Sequence, residues 1–91
     1  MNEKVFHVDI ISPKSLVYSG PAVSLAAPGE LGSFGVLAGH APLLSKLIPG
    51  VLLLKEPSGQ ILRFRSKAKG FLEVLKNEVK VLVDEAEPIP G

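Results

Sequence analysis

The chain has 91 residues, with ten Lys or Arg, nine Asp or Glu, and no cysteine. This length fits a single domain, and the lack of cysteine excludes a disulfide framework, a thiolate metal site and a cysteine nucleophile. A net charge of +1 gives no electrostatic reason to bind nucleic acid or an anionic membrane.

The first third of the chain has the pattern of short strands separated by turns. Phe6, Val8 and Ile10 alternate with the polar His7 and Asp9, and further on Val23 and Leu25 alternate with smaller residues. This period of two is typical of strands with one buried face. Turn signals separate these segments at short intervals: Ser12-Pro13-Lys14, Ser19-Gly20-Pro21 and Pro28-Gly29. Such spacing favours a β-sandwich or barrel and leaves no room for a long helix.

The mixed polar N-terminus is not typical of a signal peptide, which indicates a soluble cytoplasmic or organelle-matrix domain.

The segment "GSFGVLAGHAPLL" follows, from Gly32 to Leu44. We expect its glycines Gly32, Gly35 and Gly39 to shape a turn or a close backbone approach. Its apolar residues cannot all reach the core of so small a domain, so some are expected on the surface, where they mark a partner site. Residues 40–47 could form a short helix or an irregular strand.

The second half predicts further strands and two hairpins. The continuous run Val51–Leu54 predicts a strand covered on both faces. Hairpin turns are predicted at residues 55–60 and 76–78, with Asn77 at a positive φ. The last strand is expected to end at about Asp84, which gives a domain over residues 1–84 and an acidic, Pro-rich tail over 85–91.

Several residues could take part in catalysis, covalent modification or binding, but each can also be explained by an ordinary structural role. His40 could serve a small hydrolase, with Ser33, Ser45 or Glu30 as partners, but no Gly-x-Ser-x-Gly elbow is present. Lys76 at a hairpin tip could be the modified lysine of a biotin or lipoyl carrier domain. We expect no metal site and no cofactor, since two distant histidines without cysteine make a weak ligand set. A row of basic residues on one strand edge is either a solvated face, with lysines that prevent edge pairing, or a patch for an acidic partner; it consists of Arg63, Arg65, Lys67 and Lys69.

The Gly32–Leu44 segment closely resembles a motif of the epsilon subunit of F-type ATP synthase, the subunit called delta in mitochondria. The residues that carry this likeness are Gly32, Gly35, Val36, Leu37, Gly39, His40, Ala41, Pro42, Leu43 and Leu44. "FHVDIISPKSLVYSG" and "GFLEVLKNEVKVLVDEAE" are similar to the family's first strands and closing hairpin. The resemblance implies a flattened β-sandwich of about ten short strands.

The resemblance also implies a non-catalytic rotor part in the central stalk, one that couples proton transport to ATP synthesis. It would link the gamma subunit to the ring of c subunits. The residues expected to face gamma are His40, Ser12, Ser45, Pro42 and Leu43. The residues expected to face the c ring are Glu30, Leu31 and Ser33, where Ser33 replaces a glutamate that is frequent in the family.

Two further expectations follow from the resemblance. The protein would be a peripheral complex subunit on the cytoplasmic face of a bacterial plasma membrane, or on the equivalent side in an organelle. Many members continue into a C-terminal helical hairpin that inhibits ATP hydrolysis and in some members binds ATP. This sequence lacks that hairpin, so no ATP binding is expected of these residues.

Overall fold

The computed structural model describes residues 4–90, and it confirms an all-β architecture. Ten strands follow one another in the described chain: β1 (Phe6–Ile11), β2 (Leu16–Ala22), β3 (Ser24–Gly29), β4 (Gly32–Leu37), β5 (Leu43–Leu47), β6 (Gly50–Lys55), β7 (Ile61–Ser66), β8 (Gly70–Leu75), β9 (Glu78–Val83) and β10 (Ala86–Ile89). None of the described residues forms a helix that could cross a membrane.

The strands form one continuous sheet that folds over into two halves. The first sheet half contains β4, β3, β6, β7 and β10 in that order, and the second contains β5, β8, β9, β1 and β2. The halves join where β3 meets β5, through the single pair Gly29 and Leu47. All neighbouring strands are antiparallel except β1 and β9. The result is the flattened sandwich that the resemblance implied.

The core lies between the two halves, because alternate residues of each strand point inward. Phe6, Val8 and Ile10 of β1 are buried, as are Val79 and Val81 of β9, which confirms the alternation in the sequence. The same cluster includes Leu25, Leu47, Leu52, Leu54, Phe64 and Leu72.

The expectation for Val51–Leu54 was wrong. Leu52 and Leu54 are fully buried, but Val51 is 37% exposed and Leu53 is 40% exposed. The strand therefore has one solvent-facing side like its neighbours. A continuous apolar run is typical of a strand buried on both faces, but in an antiparallel sandwich only one face of each strand meets the core.

The C-terminal prediction also needs correction. The last predicted strand does end near Asp84, since β9 stops at Val83. The chain does not then trail off, because β10 pairs antiparallel with β7. Pro88 is compatible with a strand here because β10 lies at an end of the sheet, where one side needs no ladder partner. Of the predicted tail, Gly91 lies outside the described residues.

Two other expectations were settled by the same pairings. Residues 43–47 form strand β5, so no helix begins at His40. The basic row does not follow a sheet edge, since β7 lies between β6 and β10. Lys67 pairs with Glu87 of the adjacent strand, with Nζ and Oε1 3.3 Å apart. The row is thus partly neutralised by β10, the strand that the sequence did not predict.

Both predicted hairpins are confirmed. Lys76 and Asn77 form the turn between β8 and β9, with φ of 50° and 61°. Two consecutive positive φ values give the turn twist that matches antiparallel strands, and Asn tolerates this conformation best among non-glycine residues. The β6–β7 loop closes through a 2.9 Å bond from the Glu56 N–H to the Gln60 carbonyl.

Candidate docking surface

The segment from Leu37 to Leu44, hereafter the docking segment, connects the two sheet halves and exposes apolar side chains. Leu37 is 63% exposed and Leu44 is 70% exposed, while Val36 just before them is buried. Leu43 packs partly against the core. The expectation that only part of this apolar stretch reaches the core is therefore confirmed. Exposed leucines on a short connection are typical of a protein-binding surface.

The docking segment is held in place by the β8–β9 hairpin. The Gly39 N–H donates a hydrogen bond of 2.6 Å to the Asn77 side-chain oxygen, 38 positions away. Gly39 has a φ of 79°, which favours glycine. The His40 N–H closes the turn on the Leu37 carbonyl at 3.1 Å. Asn77 was predicted only as a turn residue, and nothing in the local sequence indicates its long-range partner.

His40 has no catalytic arrangement around it. Its Nδ1 lies 2.7 Å from the Ala41 carbonyl, which can only accept, so Nδ1 carries the proton. Ser45 donates its hydroxyl to the Lys46 carbonyl at 3.2 Å. No hydrogen bond links His40 to a serine or carboxylate in residues 4–90. The half-buried His40 ring is therefore better explained as part of a protein-binding surface than as a general acid or base.

The glycines of the motif have different roles. Gly32 has a φ of 126° in the β3–β4 turn, so its conformation favours glycine. Gly29 faces it, and a Cβ there would lie 2.7 Å from the Gly32 carbonyl. Gly35 was expected to shape the loop but does not. It lies within β4, where a Cβ would meet only the Leu25 carbonyl at 3.9 Å.

The residues predicted to face the c ring lie together at the β3–β4 turn. Leu31 is fully exposed at its tip, and Glu30 and Ser33 are exposed beside it. The Glu30 N–H donates to the Lys46 carbonyl at 3.1 Å, which fixes the turn against β5. These residues surround a shallow depression that Ser45 also lines.

This turn and His40 lie at opposite ends of the strands. His40 is near the start of β9, whereas Ser12 and Glu30 are near its end. Six residues of strand separate these ends by about 17 Å. Ser12 therefore does not share a patch with His40. It lies at the same end of the strands as Glu30, with β8 and β9 between the two residues, and both line the same groove.

That groove has a volume of about 620 Å³ and runs across the second sheet half. Ile11, Phe71 and Leu82 form its apolar floor on adjacent strands. Its rim carries two acidic and two basic residues: Glu30, Asp84, Lys46 and Lys69. Among residues 4–90, no group of three His, Cys, Asp or Glu is placed to hold a metal ion. An apolar floor with mixed charges at its rim is the usual anatomy of a protein interface.

A polar cluster on β1 and β2 was missed by sequence reasoning. The Ser19 hydroxyl donates to the Asp9 carboxylate at 2.6 Å, and His7 Nε2 lies 2.9 Å from the same oxygen. The Ser19 hydrogen bond, aided by His7 and Lys80, outweighs burial and lowers the pKa of Asp9. Because the Ser19 proton points to Asp9 rather than His7, the trio is not a nucleophilic triad. The alternation of His7 and Asp9 places both on one face, but only the β1–β2 register brings in Ser19.

Comparison with known protein families identifies the domain. The family model for the ATP synthase delta/epsilon chain β-sandwich domain matches residues 5–89. The chain belongs to this family. An ATP synthase epsilon chain from Alkalilimnicola ehrlichii is 41% identical over 80 residues. The alignment covers 88% of this chain but only 56% of that relative, so the present sequence spans little more than half of its length.

Solved structures from the same family share the fold. A chain of the Euglena gracilis mitochondrial ATP synthase OSCP/F1/c-ring assembly matches with a TM-score of 0.85 at 22% identity, covering 97% of this chain and 55% of that one. A chain from the central stalk and c ring of the Tetrahymena thermophila mitochondrial ATP synthase matches with a TM-score of 0.72 at 19% identity, covering 94% and 68%. Membership of this family gives no support to the carrier alternative, although Lys76 does lie at a hairpin tip.

Proposed function

We propose that this domain is the β-sandwich part of a non-catalytic central-stalk subunit in an F-type ATP synthase. It would link the gamma subunit to the c ring and so help couple proton transport to ATP synthesis. The observation that carries the proposal is the family match over residues 5–89. The location would be that of a peripheral subunit, on the cytoplasmic face of a bacterial membrane or the equivalent side in an organelle.

The docking segment is the proposed contact with gamma. It contains the exposed Pro42 and two strongly exposed leucines, Leu37 on the outer face of the first sheet half and Leu44 on the outer face of the second, so gamma would contact the segment from both sides. The Asn77 hydrogen bond holds this loop before a partner arrives, which lowers the entropy lost on binding. Leu43 would contribute through the neighbouring β5, and His40 would pack at its centre. Ser45 lies further along β5 and lines the depression beside Leu31 and Ser33, so it would border both proposed contacts.

The β3–β4 turn is the proposed contact with the c ring. Leu31 projects from the end of the sandwich opposite to His40, so one domain can touch two partners at once. Glu30 and Ser33 would supply polar contacts at this end. We assign Ser12 to the same end of the strands, because it follows Ile11, which pairs with Leu82 near the end of β9.

The proposal is tested by capture of purified gamma on the immobilised chain. His40→Glu places a charge in the proposed interface, where desolvation costs several kcal/mol, so capture should fall by about a hundredfold or more. Gln60→Glu is the matched control, because it adds the same charge on an exposed loop of the first sheet half. Wild type and the control should capture gamma equally.

Two outcomes would count against the proposal. If wild type captures no gamma, the assignment to the central stalk is wrong. If wild type and His40→Glu capture equally, gamma binds elsewhere on the domain. A separate test for the c ring is Leu31→Asp, which should leave gamma capture unchanged but weaken retention of this chain in the assembled complex.

A further inference from the structure

Strand β4 has a free edge, and its unpaired main-chain groups can be identified. β4 pairs with β3 and with no other strand in residues 4–90. The Ile48 N–H bonds to the Pro28 carbonyl, and the Glu30 N–H bonds to the Lys46 carbonyl. The even-numbered residues of β3 therefore direct their main-chain groups away from β4, and the odd-numbered residues direct theirs toward it.

The register then fixes which residues of β4 are free. Gly32, Phe34 and Val36 lie opposite odd-numbered residues of β3 and use their groups in that ladder. Ser33, Gly35 and Leu37 point their N–H and carbonyl groups outward. In the described part of the chain, these three residues make one main-chain hydrogen bond besides the β3–β4 pairing: the Leu37 carbonyl accepts from the His40 N–H.

This edge lacks the charged and proline residues that the other strands with free edges carry. β10 carries Glu87 and Pro88, β2 carries Pro21, and β5 carries Lys46. Neither β3 nor β4 contains an ionisable residue. An uncharged free edge without proline is a template for another strand, so a stable protein normally covers it.

We infer that β4 takes up one extended segment of the gamma subunit as an additional antiparallel or parallel strand, an inference that rests on the proposed function. The segment would be uncharged where it faces Ser33 to Leu37, because a charge beside this edge would lose hydration without gaining a partner. Main-chain hydrogen bonds would supply affinity, and the exposed Leu37 would contact an apolar side chain of the segment. The edge is continuous with the docking segment, which begins at Leu37.

The test is amide hydrogen exchange of this chain, free and bound to purified gamma. In the free chain, the amides of Phe34 and Val36 should already exchange slowly, and those of Ser33, Gly35 and Leu37 should exchange fast. Binding should slow the exchange of the Ser33, Gly35 and Leu37 amides by about tenfold or more. New protection at every second residue is expected of strand pairing, whereas simple burial of the surface would protect neighbouring amides alike.

A pair of variants tests the same inference through affinity. Gly35→Pro removes the outward N–H without breaking the ladder to β3, and it should weaken gamma binding by about tenfold or more. Gly35→Ala keeps the N–H, has room for its Cβ, and should bind like wild type. Melting curves confirm that each variant is folded, and the exchange pattern does not depend on either variant.

The outcomes separate the inference from the proposed function. If gamma binds without slowing the amides of Ser33 and Gly35, strand addition is wrong although the partner is right. If the same protection appears without gamma, at concentrations where the chain dimerises, the occupant is a second copy and the inference is overturned. If gamma does not bind at all, the proposed function fails first, and the inference fails with it.

Discussion

The hydrogen bond between Gly39 and Asn77 should contribute measurably to the free energy of unfolding. Asn77→Gly removes the side-chain oxygen that accepts from Gly39 at 2.6 Å, and keeps a residue that tolerates a φ of 61°. The loss of one hydrogen bond should lower the free energy of unfolding by about 1 kcal/mol. Asn77→Ala removes the same bond and adds about 1 kcal/mol of backbone strain, so its total cost should be about 2 kcal/mol.

These costs can be measured by thermal and urea unfolding. For a domain of this size, about 1 kcal/mol corresponds to a melting temperature lower by about 4–8 °C. We therefore expect Asn77→Ala to melt well below Asn77→Gly, and both to melt below wild type. The Gly39 amide should exchange faster in both variants. If Asn77→Gly is as stable as wild type and its Gly39 amide is unchanged, the tether does not hold the docking segment.

Two further predictions concern the fold. Gly70→Ala should lower the free energy of unfolding by about 1–3 kcal/mol, because its Cβ would press on the Leu82 carbonyl, and a urea titration measures this loss. Ser19→Ala should reduce the dependence of stability on acid pH. The pKa of Asp9 is lower in the folded state than its ordinary value of 3.8, so its contribution is present above that value and is lost as pH falls below it. Unfolding of both proteins between pH 5 and about pH 2 measures the difference, and parallel curves would contradict the role given to Ser19.

Most of the fold could be predicted from local patterns. The alternation in β1 and β9 identified core residues because an antiparallel sandwich buries every second side chain. The hairpin at Lys76 and Asn77 followed from a residue type that accepts positive φ. β10 was missed because its Pro and its acidic residues resemble a tail, and only its pairing with β7 makes it a strand.

Less of the candidate site than of the fold could be predicted from the sequence. Its motif identified the family, and the exposed leucines could be foreseen because the core is small. The sequence could not show that Ser12 lies at the end of the strands opposite to His40, since this depends on which strand ends meet across the sheet. The Asn77 tether and the free edge of β4 are also products of long-range pairing.

The proposed contact between this domain and gamma can be measured by calorimetric titration of this chain with purified gamma at several temperatures. We expect a one-to-one complex with a negative heat-capacity change, because Leu37 and Leu44 leave water on binding. Leu44→Ser should weaken the complex and make the heat-capacity change less negative. Absence of binding at tens of micromolar, or a complex whose heat-capacity change is unaffected by Leu44→Ser, would contradict it.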